Sequence, residues 1–317
     1  MKEAISKVKA AIAPKDIASH LSHYLVKDGM VHASDNRMVA AAPFPLAGTF
    51  MVPGGEFEAV ANRFGPKTKL KVEENTVVFT DGKLKATLRC MKDHAIDYQL
   101  PKGKPVKPPA DLLTALGRVR PFISDNAVHF WALAVCLDED FIYATNNVVV
   151  ARADCKGLKG KGKLLPCWAV DYLLSRSEEL VGMLPEEGSI TFFWDDKSWM
   201  KAQLIDGKFP AQAAQLVGDL ATPKFKLNDD WKAAFTSVSD MADGIIELHA
   251  DRMVGVTTHG EIEFEMKTVA PEGGPSKWNT KFLTPVVAAS DVWQPDTWPK
   301  PSPFAGKGIR GLIVGRN

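Results

Sequence analysis

Apolar residues recur along the chain in two alternating periods. In residues 2–12, Ile5, Val8 and Ile12 stand three and four apart, which is one face of a helix that Pro14 would end. Tyr24-Leu25-Val26 and Met30-Val31-His32-Ala33 flank the turn Asp28-Gly29 and predict a hairpin. That hairpin continues through Ser34-Asp35-Asn36-Arg37 into residues 38–41. Phe50-Met51-Val52-Pro53 leads into a second predicted helix over 56–64, with Phe57, Val60, Ala61 and Phe64 at helical spacing. Residues 70–72, 77–79 and 84–88, with Asp81-Gly82 between the last two, complete the set.

The same order then returns. Residues 111–120 predict a helix through Leu112, Leu113, Leu116 and Val119, and residues 128–137 and 141–151 predict strands around Asp138-Glu139-Asp140. Leu164-Leu165-Pro166 opens a helix through 174, and 189–194 with 200–205 form the closing hairpin. A looser third pass has helices over 229–238 and 284–292. Its strands are expected over 245–249, 252–257, 261–266 and 311–314. Two landmarks fix the period, near one third of the chain: Ala33-Ser34-Asp35-Asn36 corresponds to Ala144-Thr145-Asn146-Asn147, and Pro53 to Pro166, at nearly equal displacements. Val256-Thr257-Thr258-His259 follows Ala144-Thr145-Asn146-Asn147 at almost the same displacement again. The Pro- and Lys-rich stretch 101–109 reads as an extended linker. Three domains follow, at 1–104, 105–213 and 214–317.

Composition narrows the classes. The chain is 45% hydrophobic and 24% charged, as a globular protein is. No apolar run approaches the roughly 18 residues of a membrane span, and the N-terminus has no apolar signal core. Cys90, Cys136, Cys155 and Cys167 are far apart, which suits reduced thiols of a cytoplasmic protein. The net charge of +1 hides a split: residues 1–120 hold 19 Lys and Arg against 12 Asp and Glu, and the rest hold 20 against 26. Such asymmetry is one mark of a nucleic-acid-facing region, and also of an ordinary solvated surface. Catalytic patterns are lacking. His20 and His23 have no carboxylate-rich motif beside them, Ser175 and Ser177 no nucleophile elbow, and the glycines form neither phosphate-binding fingerprint. No catalytic residue, metal or cofactor is expected.

Three stretches of the second copy resemble one family. Leu116-Gly117-Arg118-Val119-Arg120-Pro121-Phe122-Ile123-Ser124 looks like the helix-to-strand passage that opens the middle domain of bacterial sliding clamps, the β subunit of DNA polymerase III. Ile142-Tyr143-Ala144-Thr145-Asn146-Asn147 resembles that domain's alanine-threonine-aspartate corner, and Leu204-Ile205-Asp206-Gly207-Lys208-Phe209-Pro210 the motif at its C-terminal edge. The likeness covers about residues 112–210. Asn146 stands where the family has aspartate, Val148-Val149 replace a polar pair, and Ala211-Gln212-Ala213-Ala214 replaces a tyrosine and arginines. The chain is also short for the family, as a divergent or phage-encoded member would be.

The resemblance implies an α+β DNA-clamp fold of three similar domains, each with two helices on antiparallel sheet. It implies a non-catalytic processivity factor that closes head to tail with a second copy into a homodimer ring around double-stranded DNA. The helices facing the hole would carry Lys2, Lys7, Lys9, Arg63, Arg118, Arg120, Arg176 and Lys232, cations that attract phosphates without reading sequence. For any one of them, the solvated face of an amphipathic helix is the plain alternative. DNA polymerase and the clamp loader would insert a short linear motif into a pocket formed by Thr145, Asn147, Val148, Val149, Val150, Pro210, Leu312 and Val314. For the valines, strand core is the alternative. The protein would work in the cytoplasm, that of a host if phage-encoded. A rival reading is a monomeric nucleic-acid-binding accessory protein of replication or recombination; a nucleic-acid enzyme is a more distant one.

Overall fold

The computed structural model describes residues 1–13, 19–91, 102–267, 269–270 and 275–316. Pro14 and Pro101 lie outside the described residues. In chain order the first elements are α1 (Lys2–Val8), β1 (His23–Lys27), β2 (Met30–Ser34), β3 (Met38–Pro43), β4 (Phe50–Pro53), α2 (Gly54–Arg63), β5 (Lys69–Val72), β6 (Thr76–Asp81) and β7 (Leu84–Arg89). There follow α3 (Leu112–Val119), β8 (Ala134–Asp138), β9 (Phe141–Thr145), β10 (Val149–Asp154), β11 (Lys163–Pro166), α4 (Cys167–Ser175), β12 (Leu180–Pro185), β13 (Ser189–Trp194) and β14 (Trp199–Gln203). The last are α5 (Ala211–Gly218), β15 (Phe225–Lys226), α6 (Asp229–Ser239), β16 (Ile245–Leu248), β17 (Arg252–Thr257), β18 (Gly260–Glu265), β19 (Ser276–Asn279), α7 (Thr280–Ala289), β20 (Val292–Trp293), β21 (Ser302–Gly306) and β22 (Ile309–Ile313).

The chain forms two compact units. The first comprises Met1–Pro108 and Ser175–Leu204. Its larger sheet runs β12-β13-β14-β3-β2-β1-β4 and its smaller one β5-β6-β7, all antiparallel. α1 buries Ile5 and Val8, as their spacing predicts, together with Ala4, and packs on β2, β3 and α2. Phe57 of α2 anchors an aromatic core, with ring centres 5.8 Å from Tyr24, 6.2 Å from Phe50 and 5.8 Å from Phe79. Burying rings of this size contributes roughly 2–3 kcal/mol each. The linker is not loose. Val106 exchanges both backbone hydrogen bonds with Met183, at 2.8 Å each, and so covers the edge of β12.

The second unit comprises Pro109–Leu174 and Ile205–Asn317. One sheet runs β11-β8-β9-β10-β22-β21-β20-β15 and the other β18-β17-β16-β19. α3 lies on β9, β10 and β22, and α6 packs on α7 and on β16, β17 and β18. Trp231, Trp278 and Trp293 are all buried; Trp231 stacks on Phe235 at 5.7 Å, and the rings of Trp278 and Trp293 meet at 4.9 Å. Of the aromatic residues near the C-terminus, Trp293 and Phe304 are buried in this core and Trp298 is half-buried. Phe304 is part of it, 5.7 Å from Phe122.

Four expectations are corrected. The strand predicted over 128–137 begins only at Ala134, because Phe130–Leu133 forms a 3-10 turn. The turn sends Phe130 over Gly207, where there is no room for a Cβ. The third copy's second helix starts at Thr280 rather than 284, because the Asn279 side chain caps it, accepting from the Lys281 N–H at 3.0 Å. Ala211–Gly218, not foreseen, is helical. The strand 180–185, also unforeseen, pairs with β13.

Candidate functional site

The two landmark corners are built alike. In the first, the Asp35 carboxylate accepts from the N–H groups of Arg37 (3.0 Å) and Met38 (2.8 Å), and Ser34 Oγ accepts from the Asn36 N–H (3.2 Å). In the second, Asn146 Oδ1 accepts from Val148 (3.1 Å) and Val149 (2.8 Å), and Thr145 Oγ1 accepts from Asn147 (3.1 Å). Asn36 and Asn147 both sit at positive φ, 69° and 70°, which asparagine tolerates through its short polar side chain. Asn146 thus does the work of an aspartate: the corner needs an acceptor, not a charge. In the third copy Thr257 Oγ1 donates to the Gly260 carbonyl (2.8 Å), as Thr145 Oγ1 does to that of Val149, but His259 has no positive φ.

Around the second corner, all eight residues expected to form a partner pocket line one groove of about 300 Å³. Thr145, Asn147, Val148, Val149 and Val150 come from the corner and β10, Pro210 from the start of α5, and Leu312 and Val314 from β22 and its exit. Val314 hydrogen-bonds through its N–H to the Val148 carbonyl at 2.9 Å, which holds the two walls together. Thr145, Val149 and Leu312 are buried and form the floor; Asn147 and Val314 are exposed at the rim. Sequence reasoning missed Trp131, Gln212, Ala213, Leu216 and Pro301. The signal for three of them was the alanine-rich run after Pro210, a helix start. The motif ending in Phe209-Pro210 places that helix: Ile205 and Phe209 pack on the sheet beside Tyr143 and Leu164. None of the thirteen lining side chains is ionisable. Cys136, beneath this segment, is buried, and burial pushes its thiol up to about 12.

The eight expected DNA-facing cations separate into two kinds. Lys2 and Arg63 are exposed, on α1 and the last turn of α2. Lys9 is exposed and paired with Glu58 at 2.5 Å. Arg118 lies over Gly308, and Lys232 is half-buried on α6. Arg120 is engaged twice, its Nη2 2.9 Å from Asp171 and 2.9 Å from Asp125, and the Asp171 bond above all holds its pKa above the usual range. Lys7 and Arg176 are not offered to a polyanion. Lys7 Nζ lies 2.6 Å from Glu3, 3.0 Å from Glu178 and 2.8 Å from Asp196, with its side chain only 12% exposed. Arg176, 5% exposed, bonds Glu178 at 2.8 Å and Ser198 at 2.8 Å, with its guanidinium 4.4 Å above the Trp194 ring. Burial works against the Glu178 carboxylate, yet Arg176 and Lys7 hold it down at about 2. Among the described residues no three His, Cys, Asp or Glu side chains gather as a metal site.

Solved structures resemble the chain over its whole length. The Bartonella birtlesii sliding clamp bound to griselimycin is 18% identical with a TM-score of 0.83, covering 100% of this chain and 96% of that one. The Caulobacter crescentus β sliding clamp gives 14%, 0.83 and the same coverage. The Helicobacter pylori β clamp bound to a DNA ligase peptide gives 14% and 0.80, covering 100% and 97%. The chain has the bacterial sliding-clamp fold. No family model and no curated protein matches the sequence, so this is a divergent version of the clamp fold, recognisable by shape where identity has fallen below a fifth. Clamps with this fold have three similar domains. In this clamp-fold chain the copies share sheets: β12, β13 and β14 of the second complete the larger sheet of the first unit, while β8–β11 join strands of the third.

Proposed function

We propose that the chain is a DNA sliding clamp, a non-catalytic processivity factor of three domains that closes head to tail with a second copy around duplex DNA. The observation that carries the reading is the groove: residues chosen for a partner motif come together from three separate segments into one apolar trough. A fold alone would not give a function. Tethering a polymerase and a loader through a short peptide requires a preformed trough that accepts large apolar anchors, each buried Leu or Phe supplying roughly 1.5–3 kcal/mol. A clamp-fold neighbour bound to a DNA ligase peptide fits this use.

The trough also narrows the partner. With no ionisable lining side chain, it favours a neutral, apolar segment whose affinity hardly changes with salt. Duplex DNA would meet Lys2, Lys9, Arg63, Arg118 and Lys232. These phosphate contacts are few and weak, so retention rests on enclosure. Among the described residues no helix is long and apolar enough to cross a membrane, and a cytoplasmic site of action follows from the proposed role.

The test is anisotropy with blocked heptapeptides carrying two Leu or Phe anchors and otherwise neutral, acidic or basic residues. Neutral peptides should bind with dissociation constants that change less than about twofold between roughly 0.05 and 0.5 M salt. Leu216→Asp, at an exposed rim position, should weaken them about tenfold. Binding by none of the three sets, or indifference to the rim variant, would remove the groove from the account.

A further inference from the structure

Beyond the apolar trough the same two strands carry a pair of charges. Val150 of β10 and Leu312 of β22 both line the groove and stand opposite each other. The next pair on that face is Arg152 opposite Arg310. Residues two apart on a strand point the same way and are separated by about 6.8 Å, so the arginines begin where the apolar lining stops. Arg310 donates through Nη2 to the carbonyl of Leu220, two residues past the end of α5. The helix that walls the groove with Gln212, Ala213 and Leu216 therefore ends at this arginine.

The sheet has no need of this pair. Like charges directly opposed across two strands are destabilising. In the first copy, at the displacement that carries Ala33 to Ala144, the same place is held by Ala41 opposite Trp199, both buried. Nor do the arginines answer carboxylates. Asp138 and Asp154 stand on either side of Phe141 in the neighbouring row, yet among the described residues neither arginine forms an ion pair. What holds each one is modest. The Arg152 guanidinium lies 4.1 Å above the Phe141 ring, and its Nε N–H is buried without a hydrogen-bond partner among the described residues. Arg310 spends one donor on Leu220. A guanidinium has five N–H donors, so most of those in the pair are unspent. Both side chains are half-buried, which makes each uncompensated charge more costly than on an open surface.

We infer that Arg152 and Arg310 form an anion subsite at the end of the groove, and that it takes one carboxylate carried by the bound partner segment just beyond its apolar anchors. The inference rests on the groove reading proposed above and adds direction to it. A neutral trough accepts apolar anchors either way round, whereas a charge at one end fixes which way the segment runs. A carboxylate suits the pair because its two oxygens can accept from two guanidiniums at once. The source is an Asp or Glu side chain or the free end of the partner chain.

The test uses the full chain and the neutral two-anchor heptapeptide, blocked at both ends, as parent. One series places a single Glu at each position outside the anchors in turn; one further peptide has a free C-terminal carboxylate. At roughly 0.05 M salt one placement should bind about tenfold tighter than the parent, and the gain should shrink to about twofold near 0.5 M. A gain from an internal Glu assigns a side chain, and a gain from the free terminus alone assigns a chain end. Arg152→Gln and Arg310→Gln should each remove most of the gain while leaving the parent's affinity within about twofold, and Arg310→Lys should keep part of it. Because Arg310 also holds the end of α5, Arg152→Gln is the independent variant, and the parent's affinity monitors the groove in both. If no placement gives a gain, or the gain survives both Gln variants, the subsite is overturned and the groove stands. If no peptide binds at all, groove and subsite fall together.

Discussion

The corners at Ser34–Met38 and Thr145–Val149 have one backbone and two surfaces. Each turns on a side-chain acceptor that holds two N–H groups and on an asparagine at positive φ. Each is followed by a strand pairing in the same register. In the first, Arg37 grips its own Asp35, Nη2 to Oδ2 at 2.7 Å, and the corner presents a closed ion pair. In the second, Val148 stands in the place of Arg37 and Asn146 in the place of Asp35, so the same geometry presents an uncharged apolar wall. The difference shows that the corner is a device of the fold, repeated with it, while the groove is a matter of which side chains the repeat received and of what was brought beside them.

The largest effect should come from breaking what the corners share. Asn146→Ala and Asp35→Ala each strand two N–H groups and should cost about 2 kcal/mol by urea unfolding. Asn146→Asp should change stability by less than about 0.5 kcal/mol, because the first corner already uses an aspartate. Equal losses for Ala and Asp at 146 would mean the acceptor is not what holds the corner. Next comes what they do not share. Val148→Arg, which copies Arg37 into the second corner, should weaken neutral-peptide binding by about tenfold, or about 1.4 kcal/mol, at unchanged stability. The converse Arg37→Val should create no binding, since among the described residues no helix like α5 lines the first corner. The mildest test is pH. Glu178 titrates near 2 in the folded chain against an ordinary value of 4.5, so its contribution is present above about pH 4.5 and is lost as pH falls toward 2. Glu178→Gln should flatten stability across that window, read by thermal unfolding.

The groove residues came from the family resemblance, with strand core the alternative for the valines. The repeated corner was legible as a pattern because it is short-range: a side-chain acceptor two or three residues before the N–H groups it holds, and an asparagine beside it. The helices were legible by period, with Ile5 and Val8 facing inward as expected, although the first ends at Val8, short of Ile12. What was hidden depends on distant partners. Nothing near Lys7 announces Asp196, far along the chain, and so a buried ion network read as a DNA-facing lysine. Trp131 read as a strand residue because its 3-10 turn is set by Phe130 fitting over Gly207. α5 was hidden because the alanines that form it read as a departure from a motif.

The central claim is enclosure of duplex DNA, and retention on a nicked circle before and after linearisation tests it most directly. The account predicts that protein placed on closed circles, with a loader where needed, stays through a high-salt wash and leaves when the circle is cut. Equal retention on circular and linear DNA, lost from both in high salt, would contradict it and leave only electrostatic binding.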